Sequence, residues 1–323
     1  MRALLERIRP FLRTAYVLCV LVAMAWALSG LDLAPAQALG LLVLPWSVVF
    51  MCAWVLMVLS LGLLWRTWLW QAEGVSLHLS EWLPAQAMGW AGRYLPGKVG
   101  LFMGKLAVVR QRRVGMRALL LSVLVEQLGF VVAGACVALA LFSSGMLGAW
   151  SWFPARIADA WNMWMPAAVL AAVLLMGAAV AVSARILGCG GIGARSLRAM
   201  GLLVLHAGPH LLVGAAFYLL AVGLFPQAAG LSMTHCVAVL ALAHVAGVLA
   251  IFAPAGFGVR ELVLAEGLRG ILSFDEALLL AAVLRILTLL ADGTIVLAAV
   301  LFWRRWSRAG AQASRRGRKA AGR

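Results

Sequence analysis

The sequence predicts an all-α polytopic membrane protein: six full spans and two re-entrant helical hairpins, set out as two inverted-topology repeats. Three observations lead there. Of 323 residues, 65% are hydrophobic and 12% charged, the mean hydropathy is +1.01, and apolar runs of about 20 residues, enough to cross a bilayer core as helices, recur along the chain. A Pro-Gly break, Arg93-Tyr-Leu-Pro-Gly-Lys-Val-Gly100, and a second break, Phe252-Ala-Pro-Ala-Gly-Phe-Gly-Val-Arg-Glu261, interrupt apolar stretches. The cations cluster at the ends of apolar runs, where positive-inside topology and contacts to anionic lipid put them. A formal charge of +16 could otherwise suggest nucleic acid, but stacking motifs and metal knuckles are absent from the sequence. The five cysteines are scattered without a CxxC pair, so neither a disulfide framework nor a zinc site is indicated.

The first repeat covers residues 1–145. Arg2, Arg7, Arg9 and Arg13 precede the apolar run 14–30, read as an uncleaved first span with its N-terminus in the cytoplasm. A signal peptide is the alternative, since Ala25-Trp-Ala27 offers small residues near its end. Residues 31–40 lack cations and read as outside; the span 41–65 returns, with Arg66 at its exit. Nothing from 66 to 117 offers about 20 uncharged residues in a row, yet 82–92 and 99–109 are short, mostly apolar segments around the first break. They describe a re-entrant hairpin over 82–109 or an amphipathic hairpin lying on the cytoplasmic surface. The span 118–142 follows and carries Glu126 near its middle.

The second repeat covers 146–303. Trp150, Trp152, Trp161 and Trp164 suit an outer interfacial segment before the spans 166–186 and 199–225. The run 235–252 resembles a full span. Were it one, the last helix, 277–303, would end outside with Arg304, Arg305, Arg308, Arg315, Arg316, Arg318, Lys319 and Arg323 beyond it. That reverses the positive-inside rule. A re-entrant segment over 235–269 removes the conflict and leaves 304–323 as a basic cytoplasmic tail, with both termini inside a bacterial-type inner (plasma) membrane.

Each half then holds two spans, a hairpin and a closing span, and three full crossings invert the second half, a plan shared by many secondary transporters. Ala118-Leu-Leu-Leu-Ser-Val-Leu-Val-Glu126 aligns without a gap on Ala277-Leu-Leu-Leu-Ala-Ala-Val-Leu-Arg285, Gly134 falls on Gly293, and Pro96 falls near Pro254. Glu126 and Arg285 thus occupy equivalent mid-helix positions, and a salt bridge between them across the pseudo-two-fold axis is expected, either locking the halves or serving a substrate. Asp292 is a further intramembrane acid, with Arg285 or Arg260 as its expected partner.

Tyr94-Leu-Pro-Gly-Lys98, Gly104-Lys105, Arg112-Arg-Val-Gly115, Glu126, Pro254-Ala-Gly-Phe-Gly-Val-Arg-Glu261 and Arg285 together resemble the lysylphosphatidylglycerol synthase transmembrane-region family, also described as flippase-like membrane proteins. The resemblance spans roughly residues 80–300, and its second motif is the more specific. Ala255 stands where the family pattern has the first of two glycines, and Gln127 where a cation is common. The resemblance implies a membrane domain associated with lipid translocation. In the multiple peptide resistance factor such a domain precedes a soluble one that makes aminoacylated phosphatidylglycerol; here only the basic tail follows, so a stand-alone member without the synthase is expected.

A helix restarting after Pro-Gly presents free N–H groups and a positive dipole end to an anion. The expected substrate-binding residues are Arg93, Pro96, Gly97, Lys98 and Lys105 at the first break, and Pro254, Gly256, Gly258, Arg260 and Glu261 at the second. Glu126, Arg285 and Asp292 join them from the spans. Arg93 and Lys98 could instead snorkel to the cytoplasmic surface. His206 and His210, four residues apart, and His244 fit packing or interhelical hydrogen bonds better than a metal, as no HExxH or nearby carboxylate accompanies them; His244 could relay protons if it faces the site. No catalytic residues, metal or cofactor are expected, and no GxSxG, P-loop or paired acids suggest an enzyme. The expected function is a flippase for an anionic phospholipid or lipid-linked envelope precursor. An intramembrane enzyme acting on a lipid phosphate and a non-transporting scaffold for envelope polysaccharide assembly are the alternatives. Besides the lipid and the membrane, an envelope-biosynthesis enzyme and a second copy of the chain are candidate partners; nucleic acid is not.

Overall fold

A computed structural model of the chain describes residues 44–94, 99–109, 114–141, 201–250, 253–269 and 271–321. Among the described residues there is no strand, and four helices are long and apolar enough to span a bilayer: Pro45–Gln71, Met116–Leu141, Gly201–Leu224 and Phe274–Phe302. The protein is an all-α membrane protein. The expected spans 14–30 and 166–186 lie outside the described residues, as do Pro96, Gly97 and Lys98 at the first break.

Helix α1 (Pro45–Glu73) begins on a proline, whose fixed φ and missing N–H suit a first turn, and ends at Gly74 with φ 67°. Its 29 residues reach about 44 Å, more than the hydrocarbon core requires. Helix α2 (Leu79–Ala91) opens with Glu81 Oε2 accepting from the His78 N–H at 3.0 Å. A short 3₁₀ turn, Gly92–Tyr94, follows it; α3 is Val99–Val109 and α4 is Met116–Leu141. Helix α5 (Ala207–Leu224) tolerates Pro209 in its first turn, where no intrahelical N–H bond is lost. Helix α6 (Met233–Leu249) is capped by Ser232 Oγ, which accepts from the His235 N–H at 3.1 Å. A 3₁₀ turn at Pro254–Gly256 leads to α7 (Val259–Gly267) and then α8 (Phe274–Ala321), one helix of 48 residues. The stretch read as a tail thus continues the last span's helix to Ala321, as its run of alanines and basic residues, all strong helix formers, permits.

The spans carry apolar side chains on their outer faces as well: Leu56, Leu63, Leu124, Leu128, Leu297 and Leu301 are exposed. A helix apolar all round is at rest in lipid, not in water. The polar side chains are turned inward, with Lys105, Glu126, Arg260, Arg285 and Asp292 all buried.

Two antiparallel hairpins sit among the spans. In α2–α3 the backbones touch: a Cβ on Gly92 would fall 2.1 Å from the Gly100 carbonyl carbon, and one on Gly104 2.3 Å from the Met88 oxygen. In α6–α7, His235 Nε2 lies 2.6 Å from the Gly267 carbonyl, which ties the base of the hairpin. At its tip a Cβ on Gly256 would meet the Gly247 Cα at 2.6 Å. The tip needs left-handed backbone at Ala255 (φ 51°), Gly256 (φ 72°) and Gly258 (φ 82°), which glycine supplies freely and alanine does not.

The packing interleaves the two halves. Helix α4 packs on α6, α8 packs on α2, and α1 packs on α5, so each closing span covers the first arm of the other half's hairpin.

Candidate functional site

The hairpin tips meet. Tyr94 from the first packs with Leu289, Ala255 and Phe257, the last two from the second. Beside this contact Asp292, 1% exposed on α8, gathers four donors. Its Oδ1 accepts from Trp54 Nε1 at 2.8 Å and Trp90 Nε1 at 2.9 Å; its Oδ2 accepts from Arg93 Nη2 and Tyr94 Oη, each at 2.5 Å. The carboxylate is thereby satisfied at membrane depth, where an unpaired charge would be expensive. Its ion-pair partner is Arg93, not the expected Arg285 or Arg260: the first tip brings Arg93 onto α8, while Arg285, on the same helix as Asp292, turns to Ala255 and Glu261.

Arg285 Nη1 donates to the Ala255 carbonyl at 3.3 Å and lies 3.7 Å from Glu261 Oε1. The other oxygen of Glu261 accepts from the Gly258 N–H at 2.7 Å. The start of α7, expected to offer free amides to a ligand, is therefore partly occupied by the chain's own carboxylate.

The expected Glu126–Arg285 bridge is not formed. Glu126 pairs instead with Lys105 on α3 and accepts from Gln86 Nε2 at 3.3 Å, while Lys105 stands 4.2 Å from the Trp65 ring centroid. Each closing span thus neutralises its charge on the second arm of the hairpin just before it, with the signs reversed: lysine to glutamate in one half, glutamate to arginine in the other. Sequence register aligns the two charged positions but carries nothing about which neighbour each helix face meets. Lys105 and Glu126 are consequently spent on one another, and neither lines the cavity described below.

Arg260 is different. It is 5% exposed and, unlike Arg93 and Arg285, forms no ion pair among the described residues; its Nη2 has no hydrogen-bond partner, as is also true of Arg285 Nη2. Its guanidinium rests 5.1 Å from the centroid of Trp54, which Arg93 also approaches, at 5.2 Å. Cation–π contact offsets part of the desolvation of such a group. An orphaned polar group still costs about 1–3 kcal/mol, more when it is charged.

Arg260 and Arg93 line a cavity of about 60 Å³ with Trp54, Trp90, Phe130, Gln127 and His244. That is room for a few water molecules, far less than the ~300–1,000 Å³ of a small-molecule pocket. Around the joined tips, three arginines (Arg93, Arg260, Arg285) face two carboxylates (Asp292, Glu261), so one positive charge lacks a protein counter-ion among the described residues. Such an arrangement attracts an anion.

Of the residues expected from sequence, Arg93, Arg260, Arg285, Glu261, Asp292, Pro254, Gly256 and Gly258 come together here. Trp54 and Trp90 were missed. Tryptophans in an apolar run resemble interfacial anchors, and only the distant acid they bond distinguishes them. His206 and His210 bond backbone carbonyls, at 2.8 Å to Leu202 and 2.9 Å to Phe130, and serve packing. No cluster of side chains suited to a metal occurs among the described residues. No protein-family model, curated protein or solved structure matches the chain.

Proposed function

We propose that the chain is a membrane lipid transporter, a flippase of the kind its two break motifs resemble. It moves an anionic phospholipid or lipid-linked envelope precursor between the leaflets of a bacterial-type inner membrane and catalyses no covalent reaction. The observation that carries this reading is the uncompensated Arg260 beside a cavity at the joined hairpin tips. A buried arginine without a counter-ion is retained where an anion visits, because the guanidinium fork matches phosphate oxygens.

Two further observations support the architecture behind it. The hairpin arms α2 and α3 have 13 and 11 residues, about 16–20 Å as helices, too short to cross the core and long enough to reach its middle. That favours re-entrant hairpins over surface ones, with Arg93 turned onto Asp292 instead of snorkelling. Pairing α1 with α5, α2 with α6, α3 with α7 and α4 with α8 maps the main helix contacts onto one another, as inverted repeats over 1–145 and 146–303 would; the α1–α4 contact alone among the larger ones has no counterpart. The head group would then bind between the two halves near midplane, with access alternating as they rock. Both termini and the basic end of α8 face the cytoplasm in this reading.

The test is leaflet exchange of fluorescent phosphatidylglycerol in liposomes holding the purified chain. Exchange that needs the protein and falls about tenfold in Arg260→Gln supports the reading. Exchange no faster than in empty liposomes removes it, and product formation from the lipid without exchange replaces it with an enzyme.

A further inference from the structure

His244 lies on α6, 5% exposed, and lines the same cavity as Arg260. Neither of its ring nitrogens has a hydrogen-bond partner. In this respect it departs from His206, His210 and His235, each of which bonds a backbone carbonyl. Its neighbours are rings: Trp54 at 5.6 Å, Phe130 at 5.9 Å and His210 at 5.7 Å between centroids. A histidine kept for packing would be expected to satisfy at least one nitrogen on a nearby carbonyl, as the other three do.

We propose that His244 is the second ligand-contacting residue of this cavity, donating to a phosphate oxyanion held by Arg260, and that anion binding there is linked to uptake of a proton by His244. The inference rests on the anion site proposed above and adds its regulation. The charged and titratable groups facing His244 are Arg260 on α7, Arg93 after α2 and His210 on α5. Helices α1 and α4 set the rings of Trp54 and Phe130 against His244, and the neutral Gln127 of α4 lines the same cavity; Asp292 reaches the cluster through Trp54 and Arg93. With the cavity empty, two arginines oppose a positive imidazolium. An oxyanion between Arg260 and His244 reverses that balance, so ligand and proton bind together. Affinity for a monoanion then rises as pH falls.

The experiment measures binding by the purified full chain in detergent with two probes that stay singly charged throughout the pH range: dihexanoyl phosphatidylglycerol and dimethyl phosphate. Short-chain phosphatidylcholine controls for acyl contacts. The wild type is expected to bind the anionic probes about tenfold tighter at about pH 5.5 than at about pH 8. Tighter binding of the lipid probe identifies a lipid head group; equal binding identifies the free phosphodiester. His244→Gln, which keeps a donor but cannot be protonated, is expected to flatten the profile, whereas His210→Gln keeps it. Arg260→Gln is expected to weaken binding at every pH. A flat wild-type profile overturns the proposal without reference to any variant, and so does a His244→Gln profile that matches the wild type. Leaflet exchange with a flat profile removes the proton linkage alone; proton-linked binding without exchange removes the transport reading alone.

Discussion

Arg93 and Asp292, 199 residues apart in sequence, form an ion pair of 2.5 Å that fastens the tip of the first hairpin to the last helix. The aspartate is almost wholly buried and is shared with Trp54, Trp90 and Tyr94, so losing one partner leaves the rest of the cluster around an uncompensated charge.

Replacing Asp292 with asparagine is therefore expected to lower stability by about 3 kcal/mol, since a buried charge without its partner costs far more than the pair contributes. Thermal unfolding in detergent measures it. Arg93→Met combined with Asp292→Leu should recover at least half of that loss, and a double variant no more stable than Asp292→Asn would contradict the assignment.

The second buried pair gives an independent expectation. Lys105→Met and Glu126→Gln should each destabilise by about 2–4 kcal/mol, and the double variant by less than their sum. Additive losses in a double-mutant cycle would mean that the two groups do not share a bond.

Arg260→Gln should act in the opposite sense on stability. Removing an unpaired buried charge is expected to raise stability by about 1 kcal/mol while leaflet exchange falls, the signature of a residue kept for function at the expense of stability. A variant that loses stability instead would show that Arg260 has a structural partner.

Ala255 adopts φ 51° at the second tip. Ala255→Gly should relieve that strain, offset by the extra freedom glycine has in the unfolded chain, for a net gain of about 0.5–1 kcal/mol. By contrast, Gly92→Ala forces a Cβ into the Gly100 backbone and should destabilise by about 3 kcal/mol or more. Melting temperatures of the two variants should move in opposite directions.

Four of the expected spans could be read in the sequence, because apolar length is what a helix needs to cross a bilayer. The second break was legible down to Gly256 and Gly258, whose positive φ only glycine adopts at ease. The charges were legible as a set but not as pairs. Glu126 and Arg285 match in register, yet pairing depends on which helix each face meets, and that follows from the interleaving of α4 on α6 and α8 on α2. Trp54 shows the same limit from the apolar side: hydropathy makes it one more span residue, and only its bond to Asp292 and its place beneath two arginines mark it.

The spacing of charges along α8 also has a mechanical meaning. Arg285 and Asp292 stand seven residues apart, about two turns, and each holds a different hairpin: Glu261 of the second at 3.7 Å, Arg93 of the first at 2.5 Å. One helix is thus a common strut to which both hairpins are fastened by ion pairs of unequal length. The second attachment is shared, since Arg285 also donates to the Ala255 carbonyl at the tip itself, so the helix grips the second hairpin at two points and the first through Arg93.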